Sequence, residues 1–201
     1  MLLSGMRAMV RRDLKDEDAA NYRWSDNEID RAIEKAVLDY SLYCPRGQRT
    51  VIPTVAGSNE LDISTLAERI DVVRVEHPLT DVPYPSRRFS VWGDVLFFLD
   101  GYVGDGGDCR VYWLKRHSLS NSMSSVPAPH EHIIALGASA YALDAQAQYA
   151  ANLANTGGDG VASGYFAWSV NKFRQFFDAL NRMATCNPWK LKVSGMSTGD
   201  E

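Results

Sequence analysis

The sequence predicts an α+β fold in which a helical frame carries an inserted region of short antiparallel β-strands. Apolar residues recur at helical spacing over residues 1–44, β-branched and alternating segments occupy about 48–117, and helical spacing returns over 130–185. The 201 residues are 45% hydrophobic and 23% charged, which is ordinary for a globular chain. We therefore expect a single domain over residues 1–185, followed by a mobile tail over residues 186–201.

Composition, charge and cysteine spacing argue against several classes of protein. A net charge of −4 argues against a dedicated nucleic-acid binder, which normally presents a basic surface. Cys44, Cys109 and Cys186 are far apart and form no CxxC pair, so neither a disulfide framework nor a zinc ribbon is expected, and a reducing compartment is indicated. No apolar run approaches the roughly 18 residues that span a bilayer, so no membrane partner is predicted.

The N-terminal segment is predicted to be an amphipathic helix that covers the core. Its apolar stripe has helical spacing and consists of Leu3, Met6, Val10 and Leu14. Arg7, Arg11 and Arg12 interrupt the apolar stretch, which is unlike a secretory signal.

The second helix has the clearest start signal in the chain. Ser25 stands three residues before Glu28, the spacing of a capping box, and Asp26 adds negative charge at the positive end of the helix dipole. Apolar side chains then recur every three or four residues: Ile29, Ile33, Ala36, Val37, Tyr40 and Cys44. The pattern predicts a core helix that ends before Pro45.

The middle of the chain changes to a strand period and predicts five or six short strands. The segment RTVIPTV, a turn at 56–59 and ELDIS are expected to form one hairpin, and RFSVWGDVLFFLD a second that turns at Gly93 and Asp94. Between them, IDVVRVEHP alternates Val73 and Val75 with Arg74 and Glu76. CRVYWLKRH is the last predicted strand.

Two long helices are predicted after the polar linker SLSNSMSSVPAP. The first, over 130–152, is rich in alanine and contains Gly137, which suits close approach of another helix. The second, over 164–185, has an apolar seam that requires a partner helix: Phe166, Val170, Phe173, Phe177 and Leu180. Trp168, Phe176 and Met183 widen this surface, which indicates either deep burial or a contact between subunits. In the tail, Trp189 and Leu191 are the only substantial apolar anchors.

Catalytic and metal-binding signals are sparse. His130 and His132 are two residues apart, so on a helix they point in different directions, unlike the i, i+4 histidines of HExxH. The loop from Asp100 has a calcium-loop composition, but its twelfth position is Val111 where an EF-hand requires glutamate. With no nucleotide-binding motif either, we predict no metal, no cofactor and no enzymatic activity.

Two alternatives to a purely structural role remain open at this point. A small metal-dependent hydrolase would need to bring together His130, His132 and Asp144. A DNA-binding module would need one face that carries the basic residues Arg46, Arg49, Arg87, Arg88, Lys115 and Arg116.

The order of these segments carries a resemblance to a known family. Trp24-Ser25-Asp26 opens the helix IDRAIEKAVLDYS, and TVIPTVAGSNELDIS, IDVVRVEHP, VYWLKRHSL and VPAPHEHIIALGASAYALDAQAQ follow in that order. Over about residues 5–150 the chain resembles the head-to-tail connector, or adaptor, proteins of tailed bacteriophages, in which a capped helix, a hairpin, further strands and a proline-preceded alanine-rich helix follow one another.

The resemblance implies a structural virion protein made in the host cytoplasm and located in the neck of the particle. Such proteins form a homo-oligomeric ring, commonly of twelve subunits, that binds the portal protein, extends the DNA channel and provides a platform for the tail or a second neck protein. By this analogy Trp189 and Leu191 would dock on the portal, and Trp168, Phe176 and Met183 would contact a neighbouring subunit. The acidic net charge would let DNA pass through the lumen without specific binding.

Overall fold

The computed structural model describes residues 1–80, 82–99, 101–153 and 159–185 and confirms the α+β class. Its elements in chain order are α1 (Leu3–Leu14), α2 (Asp26–Tyr43), β1 (Arg46–Pro53), β2 (Glu60–Asp62), β3 (Arg69–Glu76), β4 (Ser86–Arg87), β5 (Phe89–Trp92), β6 (Val95–Phe98), β7 (Asp108–Lys115), a 3₁₀ turn (Ala128–His130), α3 (Glu131–Leu153) and α4 (Asp159–Thr185). The described residues form two compact units. The helical unit comprises residues 1–44 and 117–185, and the β unit comprises residues 45–116.

The first two helices follow the sequence pattern closely. The predicted stripe of α1 is buried at Met6, Val10 and Leu14. At the start of α2 the capping box is complete: the Ser25 N–H donates to Glu28 Oε2 at 2.7 Å, and the Glu28 N–H donates to Ser25 Oγ at 3.3 Å. These bonds satisfy backbone groups that a helix start otherwise leaves without partners.

Helices α3 and α4 pack closely at Gly137. A Cβ placed on Gly137 would lie 2.6 Å from the Phe176 ring, so glycine is what allows the fully buried Phe176 to reach the α3 backbone. The predicted seam on α4 is wrong at its N-terminal end, because Phe166 and Val170 are 58% and 40% exposed. Among the side chains of α4 that the structure describes, over residues 162–185, the fully or nearly fully buried ones are Ser169, Phe176, Leu180 and Ala184. The face of α4 that is buried is the one that places the Phe176 ring against Gly137 of α3. The spacing of apolar residues alone does not reveal this contact.

The described residues of the β unit form two antiparallel sheets and seven strands, one more than the largest number predicted. The strand orders are β1-β7-β3-β4 and β2-β6-β5. The predicted hairpin that turns at Gly93 and Asp94 is confirmed as β5–β6.

The other predicted hairpin is wrong, because β1 does not pair with β2. All eight residues of β1 pair with β7, from Arg46 opposite Lys115 to Pro53 opposite Asp108, while β2 pairs with β6. The turn after β1 hydrogen-bonds to the loop before β7 instead: the Gly57 N–H donates to the Gly104 carbonyl at 2.8 Å, and the Gly104 N–H to that of Ser58 at 2.7 Å. An eight-residue ladder satisfies more backbone groups than a three-residue hairpin arm could.

The alternation predicted for β3 is broken by irregular pairing with β7. The register shifts between Val72 and Arg74, so Val72 and Val75 are buried and Val73 is only half-buried. Glu76, predicted to face outward with Arg74, is 5% exposed.

Candidate interaction surfaces

The predicted interface residues occupy different environments. Phe176 is fully buried in the core of the helical unit. Of the two alternatives, deep burial or a contact between subunits, the first therefore applies to Phe176. Met183 is half-buried and packs against the same core. Trp168 is 36% exposed, and the Lys172 ammonium lies 5.9 Å from its ring centroid. A subunit contact through Trp168 and Met183 stays a prediction. The candidate portal-docking residues Trp189 and Leu191 lie outside the described residues.

Large apolar side chains are exposed on two helices of the helical unit. Leu38 and Leu42 of α2 are 41% and 55% exposed, one helical turn apart. Phe166 and Val170 of α4 have the same spacing and similar exposure. Two helices therefore each present an unpartnered pair of large apolar side chains, a feature typical of contact surfaces.

The β unit presents one prominent aromatic side chain at a hairpin tip. Trp92 ends β5, is 83% exposed and precedes Gly93, whose positive φ of 59° the turn requires. Strand β5 is an edge strand whose Ser90 and Val91 are also exposed. The tip is thus a third candidate contact surface, in addition to those on α2 and α4.

A groove of about 640 Å³ lies between α2 and α3 within the helical unit. Its lining includes the aromatic residues Trp24, Tyr141 and Tyr149 and charged residues of both signs, namely Arg23, Glu28, Arg31, Lys35 and Asp144. The charges do not favour one sign, so the groove has no concentration of donors for a phosphate group or of carboxylates for a metal ion.

A buried ion pair ties α1 to the start of α2, and sequence patterning missed it. Arg11 and Asp16 are 5% and 6% exposed, and Arg11 Nη1 donates to Asp16 Oδ2 at 2.6 Å. Arg11 Nη2 donates to Asp26 Oδ1 at 2.7 Å, and this hydrogen bond holds the pKa of Asp26 below its ordinary value. Asp16 also accepts from the backbone N–H of Arg23 at 2.7 Å. Charge alternation around residues 11–16 was the available signal, but it is equally typical of exposed helices.

A second buried charge lies in the β unit. The Glu76 carboxylate accepts from the Tyr112 hydroxyl at 3.1 Å and lies 2.8 Å from Arg74 and 3.3 Å from Arg110. The Arg110 guanidinium also stacks 4.5 Å from the Tyr84 ring centroid. Hydrogen bonds to the two tyrosines, Tyr112 and then Tyr84, raise the pKa of Arg110, with burial opposing them.

His77 is a buried histidine that sequence patterning also missed. Its Nδ1 lies 2.6 Å from the Tyr102 hydroxyl and its Nε2 lies 3.1 Å from Asp105 Oδ1. The backbone N–H of Gly107 and, to a lesser extent, His77 hold the pKa of Asp105 below its ordinary value. The three side chains join the end of β3 to the loop before β7. These contacts are enough to account for the burial of His77 by a structural role.

The residues proposed for a hydrolase do not converge. His130 Nδ1 lies 2.6 Å from the Tyr40 hydroxyl, and burial lowers the pKa of His130. Asp144 is twelve residues beyond His132 on the same helix, a separation of about 18 Å along the axis. Among the described residues there is no group of three or more histidine, cysteine, aspartate or glutamate side chains that could hold a metal ion.

Three of the six basic residues considered for DNA binding have partners inside the β unit. Lys115 and Arg116 lie 3.4 Å and 3.8 Å from the Glu68 carboxylate. Arg87 Nε donates to the His77 carbonyl at 2.8 Å. Half of the predicted basic set is therefore engaged in internal contacts.

Comparisons with known proteins find similarity among solved structures. No protein-family model matches the chain, and no curated protein matches it in sequence. Among solved structures it is similar to a chain of the one described as "Neck of empty GTA particle computed with C6 symmetry", with a TM-score of 0.30 and 13% identity, over 70% of this chain and 77% of that chain. Within the described residues, no helix is long and apolar enough to cross a membrane.

Proposed function

We propose that this protein is a non-enzymatic head-to-tail adaptor of a tailed phage particle, which assembles as a ring under the portal and provides the platform for tail attachment. The observation that carries the proposal is the order of segments: a capped helix, a β-rich insertion and a proline-preceded alanine-rich helix. These segments correspond to α2, the β unit and α3. A ring of twelve subunits is the expected assembly.

The way in which the insertion joins the helical unit supports this order. The chain leaves the helical unit after Cys44 and returns at His117. There the His117 N–H donates to Ser41 Oγ at 2.9 Å, and His117 Nε2 lies 3.0 Å from the Cys44 carbonyl. The two ends of the helical unit's chain between which the insertion lies, Cys44 and His117, therefore meet at the end of α2.

The exposed surfaces suit a protein that works through contacts. A closed ring needs two different faces on each subunit, so that a head-to-tail contact repeats around the axis. Exposed apolar pairs on α2 and α4 provide two such faces. The net charge of −4 suits a channel through which DNA slides, because phosphate contacts hold nucleic acid in place.

The tail over residues 186–201 is proposed to dock on the portal through Trp189 and Leu191. Both are large apolar residues in an otherwise polar segment, so they can anchor a segment that orders on binding. We expect deletion of residues 187–201 to abolish portal binding and to leave the thermal unfolding midpoint unchanged. Portal binding at full strength by the shortened chain would contradict this docking.

The test of the proposed function is the mass of the purified protein, alone and mixed with the portal ring of the same particle, by light scattering after size exclusion. We expect a ring, either alone or as a stoichiometric complex on the portal. A strict monomer that does not bind the portal would overturn the adaptor function. Added double-stranded DNA serves as the control, and a steeply salt-dependent complex with DNA alone would favour a DNA-binding module instead.

A further inference from the structure

The exposed face of α2 has an ordered chemical pattern. Four side chains spaced by three, four and four residues lie along it, namely Arg31, Glu34, Leu38 and Leu42, and all four are exposed. The buried residues of α2, such as Ile33 and Tyr40, point to the opposite side. We call these four residues the α2 stripe. It presents two opposite charges followed by two apolar side chains.

The exposed face of α4 has the same classes of residue in the reverse order. Its side chains are spaced by four residues throughout, namely Phe166, Val170, Arg174 and Asp178, and all four are exposed. We call them the α4 stripe. It presents two apolar side chains followed by two opposite charges.

We infer that the α2 stripe of one subunit packs antiparallel against the α4 stripe of the next subunit, and that this contact is the repeating interface of the ring. The inference rests on the proposed function and names the surfaces that close the ring. Antiparallel alignment places Arg31 opposite Asp178, Glu34 opposite Arg174, Leu38 opposite Val170 and Leu42 opposite Phe166. All four facing pairs are complementary, whereas parallel alignment would place charged groups opposite apolar ones.

The lengths of the two stripes agree. The first and last members are eleven positions apart in the α2 stripe and twelve in the α4 stripe, so the stripes extend about 16.5 Å and about 18 Å along their axes. Residues three and four apart form the ridges by which helices interlock. The stripes can therefore pack along their whole length.

The charged members of the two stripes have no ion-pair partner among the described residues of their own subunit. This contrasts with the first turns of α2, where Asp26 and Asp30 are paired with arginines of α1. Arg31, Glu34, Arg174 and Asp178 therefore remain available to a second copy. Because the two stripes differ, the contact is head-to-tail, and repetition generates a ring or a filament.

The experiment is a charge-reversal cycle on the full chain. Self-association of each variant is measured by sedimentation equilibrium, first for the protein alone and then in the presence of the portal ring. The variants are Glu34→Arg, Arg174→Glu and the two combined. Arg12→Glu is the matched control, since Arg12 is exposed on α1 and lies outside both stripes. Thermal unfolding of each variant establishes that the subunit itself is intact.

We expect each single reversal to weaken self-association about tenfold or more, because like charges then face each other, and the combined variant to recover to within about threefold of wild type. Arg12→Glu should associate as wild type does. Single variants that associate normally, or a combined variant no better than either single one, would overturn the stripe contact while leaving the adaptor function standing. A wild-type protein that neither self-associates nor binds the portal would overturn both. Rescue by the combined variant without any portal binding would support the stripe contact and contradict the proposed docking of the tail on the portal.

Discussion

The helical unit and the β unit each bury a charge, but they enclose it to different degrees. In the helical unit both members of the Arg11–Asp16 pair are almost fully buried. In the β unit Glu76 is equally buried, yet its partner Arg74 has a side chain that is 48% exposed. Water can reach Glu76 if it loses an arginine partner, whereas it cannot reach Asp16 if it loses Arg11. The degree of enclosure, rather than the number of contacts, should therefore decide what each charge contributes to stability.

The largest expected effect comes from opening the enclosed pair. Arg11→Met keeps the side-chain stem but leaves the Asp16 carboxylate buried without its cation, which should lower the free energy of unfolding by about 3–5 kcal/mol. Urea unfolding followed by circular dichroism measures it. Adding Asp16→Asn removes the orphaned charge and should restore part of the loss. Arg12→Met, at an exposed position, is the control; equal losses for Arg11→Met and Arg12→Met would contradict the comparison.

A smaller effect is expected in the β unit. Glu76→Gln retains an acceptor for the Tyr112 hydroxyl but removes the charge that faces Arg74 and Arg110. The loss should be about 1–2 kcal/mol, the difference between a charge-assisted hydrogen bond and a neutral one. The same urea experiment measures it, with the exposed Glu60→Gln as control. A loss as large as that of Arg11→Met would show that solvent access does not distinguish the two centres.

The smallest effect is a pH dependence in the helical unit. Burial, and then His132, lower the pKa of His130, and burial raises the pKa of its hydrogen-bond partner Tyr40, so the pair is a neutral hydroxyl and a neutral imidazole. Because the unfolded chain then binds the proton more tightly, stability is fully present above the unfolded pKa of about 6.5 and falls as the pH drops through that value toward the folded pKa.

His130→Gln should flatten this dependence. Thermal unfolding midpoints between pH 8 and pH 5 measure it, with the exposed His132→Gln expected to keep most of the slope. A slope that is the same in wild type and His130→Gln would mean that another group carries the pH dependence.

The two units also differ in how far local sequence predicted them. The capping box of α2 joins Ser25 and Glu28, which are three residues apart, so the sequence was sufficient to predict it. The β1–β7 pairing joins residues such as Thr50 and Val111, and the intervening chain offered β1 a nearer partner in β2. The choice between these two partners depends on the length of the ladder that each can form with β1 and on the hydrogen bonds of the loop around Gly104. The spacing of apolar residues in the sequence reveals neither.

Sequence periodicity was also insufficient to predict which apolar side chains of the candidate surfaces are exposed. Trp168 and Phe176 were predicted together as subunit contacts from their apolar character, but Trp168 is 36% exposed and Phe176 lies in the core. Phe166 and Val170 were predicted to be buried because their spacing fits a helical seam. Which of two adjacent stripes faces the partner helix depends on where that partner has a glycine, here Gly137.

The sequence by itself determined the α+β class, the capped start of α2, the β5–β6 hairpin and the order of segments on which the proposed function rests, because each depends on residues that are near one another in the chain. Only the tertiary structure decided the partner of β1, the buried stripe of α4, the burial of Arg11, Asp16 and Glu76, and the exposure of the two stripes. These features depend on competition between distant segments for the same neighbours, and a one-dimensional pattern contains no record of which segment wins.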